Sequence, residues 1–70
     1  RDRDTYGWIL HLLGRDQEAK TQFKHAMLYG AKESVTSLEH YAVVLEALGE
    51  TDLAKVYRTL AENRKAEGKE

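Results

Sequence analysis

The chain has 70 residues, with 11 Lys plus Arg against 12 Asp plus Glu and a formal net charge of −1. That length suits one small domain, excludes a multidomain enzyme, and leaves the core only a slim surplus over conformational entropy. Near-neutral charge argues against nucleic acid, whose phosphates need a basic stripe, and the absence of cysteine removes disulfides and thiolate zinc as sources of stability. The apolar run Trp8 to Leu13 is broken by His11 and falls far short of the roughly 20 residues of a bilayer span, so no membrane partner is expected. The sequence starts at Arg1 without a signal-peptide pattern, and it reads as an excised fragment.

Proline is absent, so glycine supplies the punctuation, and four helices fit between the glycines. From about Asp2 to Leu13, Tyr6, Leu10 and Leu13 recur at i, i+4 and i+7 with Ile9 beside them, and Gly14 suits the left-handed position after the helix. Trp8, Ile9, Leu12 and Leu13 spread over more than one side, which is more apolar surface than one partner helix can cover, so an earlier unit is expected to cover it. From about Asp16 to Tyr29, Ala19, Phe23 and Ala26 share a face with Met27, Asp16 and Glu18 sit near the positive helix start, and Gly30 ends the helix. Ser34 is a good N-cap for a third helix carrying Leu38, Tyr41, Leu45 and Leu48 up to Gly49. Thr51 or Asp52 is expected to cap the fourth, whose buried side is Leu53, Ala54, Tyr57, Leu60 and Ala61 before the chain turns polar at Glu62. No window alternates for long enough to compete as a strand.

Shifting the sequence by 35 positions aligns Tyr6 with Tyr41, Leu10 with Leu45, Leu13 with Leu48, Gly14 with Gly49, Ala19 with Ala54, Lys20 with Lys55 and Ala26 with Ala61. A shared period spanning two helices and their turn predicts one helical hairpin used twice. The four alanines fall at equal offsets from the turn glycines, as close helix approach requires.

These residues resemble the tetratricopeptide repeat family, whose pattern runs W-x-x-L-G-x-x-Y, then A-x-x-x-F, then a later Ala and Pro. The likeness covers nearly the whole chain. In the first copy Tyr6, Gly7, Leu10, Gly14, Ala19, Phe23 and Ala26 take the family's positions. Leu38, Tyr41, Ala42, Leu45, Gly49, Ala54 and Ala61 take them in the second. Arg3 stands at the first Trp position, Ala31 near the missing Pro, and Arg58 in place of the second Phe. Leu38-Glu39-His40-Tyr41 with Leu48-Gly49 also resembles the last repeats of long bacterial arrays. The resemblance implies an all-α domain of two stacked TPR-like helix-turn-helix hairpins, an α-solenoid fragment with repeats at about 1–33 and 34–67. A charged Arg58 where the family fills the space to the next hairpin implies that none follows, and the polar tail 62–70, with Glu62, Asn63, Arg64, Lys65, Glu67, Lys69 and Glu70, is expected to act as a C-terminal cap.

Reactive constellations are missing from the pattern. His11, His25 and His40 fall on three predicted helices without the spacing that puts two metal ligands on one face, and neighbouring Glu39 and His40 point about 100° apart. Ser34 and Ser37 read as helix-start residues, and no nucleophile elbow or phosphate loop occurs. Neither an enzymatic activity nor a metal or cofactor is expected.

Protein or peptide binding remains, and the resemblance implies where. The first helix of each hairpin lines a groove in such proteins, which carries over here to Asp4, Trp8, His11 and Leu12 and to Glu39, Val43 and Glu46. Trp8 is either the binding anchor or a packing residue against a preceding repeat, and Glu39 and Glu46 would favour a basic partner over a carboxylate tail. The competing reading is a solubilising cap that binds nothing. About two units with one uncapped end also predict self-association, face to face through the first hairpin or by exchange of a hairpin.

Overall fold

The computed structural model describes residues 3–29 and 34–68 and contains four helices: α1 (Arg3–Leu12), α2 (Asp16–Tyr29), α3 (Val35–Ala47) and α4 (Thr51–Ala66). No strand occurs among the described residues, so the chain is all-α as expected. Asp2, Gly30, Ala31, Lys69 and Glu70, which the sequence reading assigned to helix ends or tail, lie outside the described residues. α1 packs chiefly on α2 and α3 on α4, while the two pairs join through α2 and α3 with a lesser contact of α1 on α3.

The two turns within the pairs match bond for bond. In the first, Leu13 N–H reaches Ile9 and Leu10 carbonyls, Gly14 N–H donates to His11 at 2.9 Å and Arg15 N–H to Leu10 at 2.8 Å. In the second, Leu48 N–H reaches Val44 and Leu45, Gly49 N–H donates to Glu46 at 3.0 Å and Glu50 N–H to Leu45 at 2.8 Å. Gly14 and Gly49 hold φ of 78° and 81°, the left-handed conformation that closes such a helix end and that a side chain disfavours. The 35-residue offset is therefore an equivalence of position as well as of residue type.

Ser34 caps α3 as its sequence suggests, its hydroxyl accepting from the Ser37 amide at 3.1 Å. Ser34→Ala is expected to cost about 1 kcal/mol, read as a lowered urea midpoint with unchanged slope. The expected Thr51 or Asp52 cap of α4 is not found: Thr51 is already helical, and the N-cap is Glu50, which makes no side-chain cap bond. Its carboxylate instead takes Lys20 of α2 at 2.6 Å, so the residue that could serve the helix end ties the two pairs together.

A core of Leu10, Ala19, Phe23, Tyr41, Ala42, Val44, Leu45 and Ala54 joins both pairs, with Val35, Leu38 and Ala61 as a smaller cluster bridged to it by Met27 and Tyr57. Phe23 is sealed between α1 and α3: its ring stacks on Tyr41 with centroids 5.8 Å apart, and a Cβ at Gly7 would come within 2.8 Å of its edge. Of the aligned alanines, Ala19, Ala54 and Ala61 are buried and Ala26 is half-buried.

Two expected stripes are corrected. Of Tyr6, Leu10 and Leu13 on α1 only Leu10 is buried, while Tyr6 is 49% and Leu13 64% exposed. α1 is an end helix, so only its sides toward α2 and α3 find a neighbour. On α4, Leu53 and Leu60 are exposed with Val56 between them, where the equivalent α2 residues are Glu18, Thr21 and His25. The exposed side of α4 thus carries an apolar strip ahead of the polar tail that begins at Glu62.

Candidate functional site

The seam between the pairs gathers three of the seven expected groove residues. Asp4, Trp8 and His11 lie one helical turn apart along α1, and His40 of α3 comes up against them. The Trp8 indole is stacked on His40, centroids 3.9 Å apart and planes 11° apart, and His11 tilts against its other neighbour side at 4.9 Å. Each imidazole meets a carboxylate: His11 Nδ1 is 2.5 Å from Asp16 Oδ1, and His40 Nδ1 is 3.6 Å from Asp4 Oδ1. Trp8 is half-buried, and it packs on His40 of the following helix pair. Sequence spacing missed this cluster because His40 reaches α1 only through the docking of α3.

Glu39, Val43 and Glu46 share a flank of α3, and α4 answers both charges. Arg58 donates through Nε and Nη2 to Glu46 at 2.8 and 2.7 Å, and Lys65 lies 2.7 Å from Glu39. The hydrogen bonds from Arg58 and Lys65 hold the Glu46 and Glu39 carboxyls below the usual range. Glu39 and Glu46 are therefore engaged within the chain, while half-buried Val43 and exposed Leu12 carry the apolar character of that surface. Glu39 and His40 point to different helices, as neighbours on a helix do.

A further exposed apolar surface lies on the side of α1 away from α3. Tyr6, Ile9 and Leu13 are each about half exposed or more. Their equivalents 35 residues on include Tyr41 and Val44, which are 3% and 0% exposed because the first pair covers them. At the opposite end the pattern reverses: where α2 presents Lys20, Phe23 and Met27 to α3, α4 presents exposed Lys55, Arg58 and Glu62. A separate open cleft of about 260 Å³ lies at Arg3, His25, Ala26 and Tyr29. Among the described residues, no group of three or more His, Cys, Asp or Glu could hold a metal ion, and no helix is long and apolar enough to cross a membrane.

No family model matches the chain, and no curated protein or solved structure matches it either.

Proposed function

We propose that the chain is a protein-interaction module, two stacked TPR-like hairpins forming the terminal part of a larger helical scaffold. One observation carries this reading: α1 leaves Tyr6, Ile9 and Leu13 uncovered while α3 buries the equivalent Tyr41 and Val44. A contiguous apolar face that its own repeat partner buries is a contact surface waiting for protein. The groove residues Asp4, Trp8, His11, Leu12, Glu39, Val43 and Glu46 form a second, weaker surface, and with both glutamates neutralised by α4 it suits an apolar segment better than a basic one.

Self-association through the outer α1 face is part of the proposal. Sedimentation of the wild-type chain at high micromolar concentration is expected to show a dimer or larger, and Ile9→Glu with Leu13→Glu to return a monomer of unchanged helicity. A compact wild-type monomer at that concentration would remove self-association from the proposal. The competing reading, a structural cap, is favoured by Lys55, Arg58 and Glu62 at the far end, where a further hairpin would have to bury three charged side chains. Both readings hold if binding belongs to α1 and termination to α4. Tests of the groove are cleaner with Leu12→Ala and Val43→Ala than with Trp8, whose loss also loosens the seam.

A further inference from the structure

Resting on the reading of α1 as a contact face, the internal repeat specifies what covers it. We propose that the outer face of α1 receives an amphipathic helix that presents an aromatic residue and a large apolar residue four positions later, with an acidic side chain three positions before the aromatic.

The template is α2 as α3 meets it. α2 offers Phe23, which stacks on Tyr41, and Met27, which packs against both core clusters, and it closes the end of the contact with Lys20 on Glu50. The matched turns carry this geometry back by 35 residues: Tyr6 stands where Tyr41 stands, Ile9 where Val44 stands, and Leu13 where Leu48 stands. The apolar half of the docking surface is thus preserved. Its charge is inverted, because the residue after the turn glycine is Glu50 in the second pair and Arg15 in the first. A helix docked on α1 as α2 docks on α3 must therefore carry an acid where α2 carries Lys20.

The same inversion argues against head-to-tail stacking of two copies. The end of a second copy would bring Lys55 to Arg15 and Arg58 to the apolar face, a like-charge contact and a buried guanidinium. In the free chain Arg15 forks onto Glu18 through Nε and Nη2 at 2.8 and 2.6 Å. That pair is over half exposed, so an incoming carboxylate displaces it at little cost.

The chain's own α2 sequence, Asp16–Tyr29, supplies the probe, made as a stapled helical peptide with Lys20→Glu and compared with the unsubstituted version by fluorescence anisotropy. The Lys20→Glu peptide is expected to bind about two- to fivefold more tightly, the effect of one exposed ion pair. Arg15→Glu in the full chain is expected to reverse that preference, and Ile9→Glu to abolish binding of both peptides. Equal affinities, a preference that survives Arg15→Glu, or no binding of either peptide would overturn the proposal. If neither peptide binds while the wild-type chain still self-associates and Ile9→Glu with Leu13→Glu disperses it, the helix occupant fails and the contact face stands.

Discussion

Phe23→Ala is expected to destabilise the chain by about 3–5 kcal/mol, the cost of a large cavity where two helix pairs meet. Phe23 is the one side chain that fills the space over Gly7 of α1 and stacks on Tyr41 of α3. A chain of 70 residues has a total stability on the order of 4–10 kcal/mol, so this variant sits at the edge of folding at room temperature. A milder pair of variants keeps the claim measurable. Gly7→Ala alone places a methyl 2.8 Å from the ring edge, and overpacking of about 1–3 kcal/mol outweighs the roughly 1 kcal/mol gained from helix propensity. In a Phe23→Leu background the ring edge is gone and the δ carbons can turn away, so Gly7→Ala should become neutral or stabilising. Urea melts of the double-mutant cycle read this directly; additive effects would show that Gly7 and Phe23 do not share that space.

Raising the pH above about 10 is expected to cost this chain up to about 3 kcal/mol through Tyr41. Burial, with smaller contributions from Tyr57 and Glu50 nearby, pushes the Tyr41 phenol up to about 12. Because the folded value lies above the unfolded one of about 10, the native state keeps its proton longer. The stabilisation is complete below about pH 10 and is lost as the pH climbs toward 12. Lys65, raised by its bond to Glu39, weakens in the same direction at the exposed edge of α3 and α4. Tyr41→Phe separates the two: it keeps the ring stacked on Phe23 and tilted against Tyr57 and should flatten most of the alkaline loss in denaturation midpoints. An equally steep fall in Tyr41→Phe would place the effect elsewhere.

These two residues mark how far the sequence carries. Four helices, the glycine stops at Gly14 and Gly49, the Ser34 cap and the 35-residue repeat were legible, because each depends on neighbours within a turn or two of the chain. The apolar positions of α1 and α4 were legible as apolar. Which of them would be covered was not, since Tyr6, Leu10 and Leu13 carry the same helical period although only Leu10 is buried. Periodicity reports a stripe, and burial depends on how many neighbours an end helix has.

The site divides along the same line. The resemblance to the repeat family singled out Asp4, Trp8, His11 and Leu12 on the first helix, and Glu39, Val43 and Glu46 on the third. Only the docking of the two pairs put His40 on Trp8, and only the packing of α4 on α3 set Arg58 and Lys65 on the two glutamates. Glu50 shows why: by sequence it is a residue at a helix start, and the approach of Lys20 across the seam turned it into a link between pairs. Hydrogen bonds to the nearest backbone follow from local sequence, whereas pairing across 30 residues of chain depends on which faces burial has brought together.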